Sequence, residues 1–532
     1  DAIVLKALRK EPDKRYKSAE QLLSDLQRYK EHQPVLAKKN SVRYRTCKFI
    51  KRHKPGLAYS LLIILLTAGF NIYHTLQITE ERNIAQREAE KANLVTEFLV
   101  DLFESTDPTK SGGDAVYMKE ILKKSEERIS SLKSQPALQA DLLNLTGRIY
   151  RRLGEYSKSQ SLHEQASSIL YKLHGEDHPQ TLSGLDQLGL LYCEKGEYEK
   201  AESLLRNVLS LRENNPGSKP LDKTFTYSNL GYTLRKTGNW EDAENFYRKS
   251  LEIRKSELGD QHPLTIENLN SLGMALHLKG NYSETERLFR ETLKLRQELL
   301  GENHPDIAVS LNNLGALYLN TGRFKDAEEY FKRSLHMRQI LFGNDHPSIA
   351  LTLNNLGIAS REQNQIEKAE SYFHRALKMR INLYGKESLE TAKSMFTLAP
   401  LKISKQQPDS ALYYYQKSNQ IFRNYLPENH SFVVRSMFGI GIAHSETGGM
   451  ERADSLIKNG YTMIKEIHPE GTLERALADL KYGYYCMKIG DTFLAIDLLK
   501  NAKNYFQEID KRSSLRVNKA ISLLSQIETE KK

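Results

Sequence analysis

Two sets of residues in this chain have types and spacing that could do chemistry. The first is histidine before proline, at His178, His262, His304 and His346. Histidine is a common metal ligand, but these copies stand a whole repeat or more apart. They cannot converge on one ion, and a turn accounts for them, because proline suits the first turn of a helix. The three cysteines, Cys47, Cys193 and Cys486, are too scattered for a disulfide framework or a CxxC metal pair. No nucleophile elbow or metalloprotease helix motif occurs, so the sequence offers no catalytic residues and no metal site.

The second set is amide and guanidinium. A glycine recurs every 42 residues, and three positions before it stand Asn144, Asp186, Ser228, Asn270, Asn312, Asn354, Phe396, Phe438 and Leu480. A primary amide carries donors and an acceptor, so Asn144, Asn270, Asn312 and Asn354 can hydrogen-bond the backbone of an extended peptide. Four positions after the glycine, on the same helix face, stand Arg151, Arg235 and Arg361, whose forked donors suit carboxylates. These residues predict a binding surface with a polar front half and an apolar back half. In the opposing reading, the asparagines only knit adjacent repeats.

The glycine that sets this register stands at Gly147, Gly189, Gly231, Gly273, Gly315 and Gly357, skips to Ala399, and returns at Gly441 and Gly483. A small residue twelve positions on recurs in all nine repeats, from Ser159 and Ala201 to Ala495. Within one repeat, Leu311, Leu314, Ala316, Leu317 and Leu319 share one segment and Ala327, Tyr330, Phe331 and Leu335 the next. That is the spacing of two amphipathic helices, broken between them at Gly322. Gly315 and Ala327 let the two helices approach closely, and Tyr318, Phe324 and Phe331 fill the space between successive hairpins. Gly301 suits the left-handed residue that ends a helix, and Pro305 the first turn of the next.

Leu314-Gly315, Tyr318, Gly322, Phe324, Ala327 and Phe331 resemble the tetratricopeptide repeat, in the 42-residue form of kinesin light chains, over residues 133–511. The resemblance implies an all-α superhelix of about nine hairpins. It places the asparagine column in a concave groove, with a protein or peptide as partner. Repeats seven to nine depart from the pattern at Ala399-Pro400 and lack GxxHP at Gly385, so less regular packing is expected there.

The chain has 532 residues and a formal charge of +11. Eight Lys/Arg and no acid lie in residues 35–54, leaving the remainder near balance; a phosphate-tracking solenoid, and so a nucleic-acid partner, is not indicated. Residues 55–79 then contain no acid, lysine or arginine. The 18 residues 56–73 are mostly apolar and reach about 27 Å, the short end of a bilayer span. This predicts a single transmembrane helix over 55–76, with a basic juxtamembrane segment at 35–54 and an anionic membrane surface as partner at 38–54. The positive-inside rule puts Asp1 in the cytoplasm and the repeats outside, as in a single-pass protein of the cell (inner) membrane. Residues 77–132 are expected to form a helical linker and cap, and 512–532 a C-terminal capping helix. A coiled coil at 75–94, giving a homodimer, is the alternative for the linker.

Asp1 is no initiator, and residues 1–34 read as the end of something larger: a helix, a loop holding Pro12, and a second helix opened by Ser18 with Gln21 as a capping box. Ile3, Lys6-Ala7-Leu8, Pro12, Arg15-Tyr16, Ser18, Leu22 and Asp25-Leu26 resemble the C-terminal end of a bacterial Ser/Thr protein kinase domain. The resemblance implies a structural role for Arg15, paired with a buried glutamate of the activation segment. It also implies ATP and Mg²⁺ as cofactors of a kinase domain upstream. The glycine-rich loop, phosphate-binding lysine and catalytic aspartates are not in this sequence, which as given cannot transfer phosphate. The order of segments is similar to a receptor-like kinase, whose extracytoplasmic repeats would bind protein ligands in signal transduction. The alternative is a membrane-anchored interaction scaffold without kinase linkage. A DNA-binding regulator ranks last, because residues 10–15 are not a tight glycine turn.

Overall fold

The structure is a computed structural model and describes residues 1–38, 41–56, 59, 62–63, 65–79, 81–82, 96, 114–468, 470, 472–509 and 515–530. They divide into two compact units, Asp1–Glu127 and Arg128–Lys532.

In the first unit, α1 (Ala2–Ala7), a 3-10 turn at Pro12–Lys14, α2 (Ala19–Lys30) and α3 (Val42–Arg52) follow in order. Ser18 Oγ accepts from Gln21 N at 3.3 Å while Gln21 Oε1 accepts from Lys17 N at 3.0 Å, a reciprocal cap. Buried Asp25 holds the unit together by accepting from Tyr16 Oη at 2.8 Å, Leu36 N at 2.5 Å and Ala37 N at 2.8 Å. Arg15 lies on the surface, its Nε donating to the Arg9 carbonyl at 2.6 Å.

The expected transmembrane helix is corrected. Residues 57–58, 60–61 and 64 lie outside the described residues. The longest described helical run of that stretch, 65–79, has 15 residues. It carries Thr67, Asn71, His74, Thr75, Gln77 and Thr79. Among the described residues no helix is long and apolar enough to cross a membrane. The single-pass inner-membrane location and the extracytoplasmic placement of the repeats fall with it. The coiled coil expected at 75–94 lies largely outside the described residues.

After α4 (Asp114–Ser131) the described residues form nine helical hairpins. They are α5 (Pro136–Arg152) with α6 (Tyr156–His174), α7 (Pro179–Lys195) with α8 (Tyr198–Asn214), and α9 (Pro220–Thr237) with α10 (Trp240–Leu258). Next are α11 (Pro263–Lys279) with α12 (Tyr282–Leu300), α13 (Pro305–Asn320) with α14 (Phe324–Phe342), and α15 (Pro347–Glu362) with α16 (Ile366–Tyr384). The last three are α17 (Leu389–Ser404) with α18 (Pro408–Tyr425), α19 (Ser431–Glu446) with α20 (Met450–Ile467), and α21 (Leu473–Lys488) with α22 (Thr492–Ile509). The final helix, α23 (Leu515–Glu530), packs on α22.

Helix starts are set by the histidines. His178, His262, His304, His346 and His430 each turn Nδ1 onto the backbone N–H two residues on, at 3.2–3.3 Å, satisfying a donor that the first helical turn leaves open. Gly301 before His304 has φ +77° and ψ −161°. That is the mirror-extended region open essentially to glycine, rather than the left-handed helical one expected. The left-handed helical residue falls inside the hairpins, at Gly196, Gly238 and Gly280.

Close approach within a hairpin has a fixed partner. A Cβ on Gly315 would lie 2.6 Å from the Phe331 ring, and Gly273 and Gly357 stand the same way to Phe289 and Phe373. Phe331 also joins Leu356 and Ala359 of the next repeat in one core cluster. Ala399 breaks the glycine column, and its partner Tyr415 leans instead on Gly439 of the following repeat, where a Cβ would lie 2.5 Å away. α17 runs on as a helix with Pro400 inside it.

A second device joins hairpins two to seven in sequence. Arg212, Arg254, Arg296, Arg338 and Arg380 recur at the repeat period and are buried. Each sends Nη1 from a second helix to a carbonyl in the first turn of the following helix, as in Arg296 to Asp306 O at 3.0 Å and Arg254 to Leu264 O at 2.8 Å. A hydroxyl receives it as well in four of the five, for example Ser310 Oγ at 2.8 Å and Ser394 Oγ at 2.9 Å. Burial pushes the Arg338 guanidinium down to about 10.

First helices touch the first helices of neighbouring repeats, whereas second helices pack on the first helices to either side. The stack therefore curves with its first helices inside. The curvature brings repeat four back against repeat nine, where Tyr282 Oη meets Tyr505 Oη at 3.2 Å.

Candidate functional site

The asparagine column lies on the first helices, and the structure shows what each member does. Asn144 Oδ1 faces His163 Nδ1 at 2.8 Å within repeat one. Asp186 is buried and pairs with Arg212 Nη2 at 2.8 Å, and burial still pushes its carboxyl up to about 6. Ser228 Oγ lies 3.1 Å from Ser250 Oγ and donates to Asn268 Oδ1 at 3.2 Å. The next three form a ladder. Asn270 Oδ1 accepts from Asn313 at 2.9 Å, Asn312 Oδ1 from Asn355 at 3.2 Å, and Asn354 Oδ1 from Thr397 Oγ1 at 2.6 Å. Each acceptor is thus taken by the following repeat. The Nδ2 donors of Asn312 and Asn354 have no acceptor among the described residues.

The three arginines differ. Arg151 pairs with Glu194 of the next first helix. Arg361 pairs with its neighbour Glu362 at 2.8 Å. Arg235 stacks over the Tyr232 ring at 5.1 Å, beside Lys236. The apolar members of the column are core: Phe438 and Leu480 are buried, and Phe396 stands edge-on to Tyr415, Phe422 and Phe432, at centroid distances of 5.9–6.1 Å.

The curvature supplies charges that spacing along the chain hides. Lys481 on α21 is open to solvent on the inner face, yet protein surrounds it. That crowding, with the Arg435, Arg361 and Lys519 charges beside it, pushes its ammonium down to about 7. Lys236 of repeat three is likewise held below the usual lysine range by crowding, then by Arg235, with Lys393 of repeat seven also contributing. Of these cations the repeat spacing marks only Arg235 and Arg361; Lys236, Lys393, Arg435, Lys481 and Lys519 stand outside that pattern.

Repeated hairpins with first helices lining a concave face define a class: a helical solenoid whose inner surface is free for contacts. The tetratricopeptide repeat family matches residues 138–214, 224–297, 268–340, 320–381 and 348–424, together just over half of the chain. This chain belongs to that family and is a scaffold for protein–protein interaction. Among solved structures, BtubC (BKLC) from P. vanneervenii is 26% identical over 44% of this chain and 92% of its own, with a TM-score of 0.37. The apo quorum sensor NprR from B. thuringiensis is 14% identical, covering 71% and 99%, with a TM-score of 0.48. The STAND protein PH0952 from Pyrococcus horikoshii, which carries a tetratricopeptide repeat sensor, is 16% identical, covering 70% and 52%, with a TM-score of 0.45. No curated protein matches this chain.

Proposed function

We propose that the inner face of the superhelix binds an extended segment of a protein partner, with Asn312 and Asn354 donating to its backbone carbonyls. The observation that carries this is the half-used amide: each Oδ1 is fixed by the next repeat, which orients Nδ2 while leaving it without a protein acceptor among the described residues. A donor held in place by its own second bond loses little freedom when a ligand arrives. The test is the pair Asn312→Asp with Asn354→Asp, which keeps both acceptors and removes both donors. A peptide selected on the wild-type protein from a random display library should lose about ten-fold or more in affinity, the effect of roughly 1.4 kcal/mol, with circular dichroism checking that the variant, whose carboxylates replace buried amides, stays folded at the assay temperature. Unchanged affinity would overturn the proposal.

The kinase linkage is a further part of this reading, and one observation favours it. In the first unit Leu5, Leu8, Leu23 and Tyr29 are each more than 60% exposed, an apolar face that a folded neighbour would cover. Sequencing the gene upstream of the Asp1 codon tests this directly. An ATP-binding lysine and a catalytic-loop aspartate are expected, and an unrelated sequence would leave the scaffold standing alone.

A further inference from the structure

In the first unit the loop after α2 folds back and is tied down on both sides. Asp25, fully buried, accepts from Leu36 N and Ala37 N, and Val35 N donates to Tyr44 Oη of α3 at 3.3 Å. Arg28 Nη1 reaches the Pro34 carbonyl at 3.5 Å. The fold-back leaves a cavity of 480 Å³ lined by Arg28, Pro34, Val35, Leu36, Lys38 and Arg45. That size lies within the roughly 300–1,000 Å³ of small-molecule sites. Three of the six lining side chains are cations and none is an acid. They come from α2, the loop and α3, so the cavity joins charges that the chain carries on three different elements.

The only acids between Gln21 and Lys54 are Asp25 and Glu31, and both are engaged. Asp25 serves Tyr16, Leu36 and Ala37, and Glu31 accepts from Gln27 at 3.3 Å and Gln33 at 2.9 Å. Neither Arg28 nor Lys38 has a carboxylate partner among the described residues. Lys38 Nζ lies 4.8 Å from the centre of the Tyr44 ring, which places the ammonium beside the cavity. Arg28 is half-buried, whereas Lys38 and Arg45 are exposed, so a ligand can enter from solvent. Like charges around one cavity repel unless an anion offsets them. Guanidinium forks match the paired oxygens of a carboxylate or a phosphate, and the charge decides between the two. A carboxylate brings one negative charge, a phosphate monoester about 1.5 to 2 near neutral pH, and three cations suit the second. We infer that Arg28, Lys38 and Arg45 form a seat for a phosphate group, supplied as a free phosphate or as the phosphate monoester headgroup of a lipid.

The experiment is calorimetric titration of the full chain, in low salt at neutral pH, with inorganic pyrophosphate, inorganic phosphate and acetate. Flotation with phosphatidylcholine vesicles, with and without phosphatidic acid, forms the second arm. The variants are Lys38→Gln with Arg45→Gln, exposed positions that leave the Asp25 anchor intact, and Lys10→Gln with Lys17→Gln. The latter removes the same charge from the same unit outside the cavity. The Lys38/Arg45 variant should bind about ten-fold or more weakly than wild type, as two lost charge-assisted contacts imply, and the Lys10/Lys17 variant should match wild type. Pyrophosphate binding assigns the seat to a free anion, and binding of phosphatidic acid vesicles alone assigns it to a headgroup. Limited proteolysis of the first unit checks folding, and Arg45→Gln by itself, with a few-fold loss expected, replaces the double variant should that open the loop. No binding in either arm, acetate as tight as pyrophosphate, or an equal loss in the Lys10/Lys17 variant would each overturn the inference.

Discussion

Gly315→Ala should destabilise the protein even though it puts a better helix former inside α13. Replacing a mid-helix glycine by alanine ordinarily gains about 1 kcal/mol. Here the new methyl would sit 2.6 Å from two carbons of the Phe331 ring and 3.0 Å from a third, well inside the ~3.5–4.0 Å of favourable carbon contact. Phe331 is 0% exposed and wedged against Leu356 and Ala359, so the ring cannot swing away. Overpacking of this kind costs roughly 1–3 kcal/mol. With three ring atoms in conflict the upper end applies, leaving a net loss of about 2 kcal/mol after the helix gain is subtracted. Hydrogen exchange resolved to α13 and α14 reads the local loss, and it is preferred to one global midpoint because repeat arrays need not unfold as a unit. The sign is the sharpest check. In a Phe331→Ala background the clash is gone, so Gly315→Ala should become stabilising by about 1 kcal/mol. A Gly315→Ala protein as stable as wild type, or the same sign in both backgrounds, would refute the reasoning.

The buried arginine ladder makes a contrasting prediction. Arg338 donates to Ser348 O at 2.6 Å and to Thr352 Oγ1, so Arg338→Ala should lose about 3 kcal/mol in bonds and packing. Arg338→Met, which fills the space without a buried charge, should stay within about 1 kcal/mol of wild type; thermal melts of both decide it. His163 gives a pH dependence. Burial holds it neutral down to about 4, against 6.5 in the unfolded chain. The unfolded chain therefore binds more protons in that window, and stability is fully present above pH 6.5 and lost as pH falls toward 4. Its share is worth up to about 3 kcal/mol and should be lost in His163→Leu, which copies Leu205 of the next repeat, leaving a shallower slope from His277, which burial also holds down to about 4; an unchanged slope in His163→Leu would contradict this.

Much of this protein is readable from its sequence because each repeat packs only on its neighbours. A position's surroundings then recur every 42 residues, and residue type is enough to show them. Gly315 with Phe331, Ala327 at the crossing and Pro305 at a helix start are all local or nearly so. The arginine ladder was legible by the same rule, since Arg212, Arg254, Arg296, Arg338 and Arg380 share the period; a charged residue on an amphipathic helix simply does not announce burial. The histidines before proline could be assigned to turns, but only the coordinates show Nδ1 capping a helix. Hydropathy suggested a membrane span, but among the described residues no helix is long and apolar enough for one.

What the sequence by itself determined is therefore the repeat: its length, its two helices, the residues at their crossing and the column of asparagines on one face. The tertiary structure decided how that column is used, because whether an amide knits repeats or faces a ligand depends on the next repeat's position. It also decided which distant repeats meet. Tyr282 and Tyr505 lie five repeats apart, and only the curvature of the stack, summed over several repeats, brings their hydroxyls to 3.2 Å.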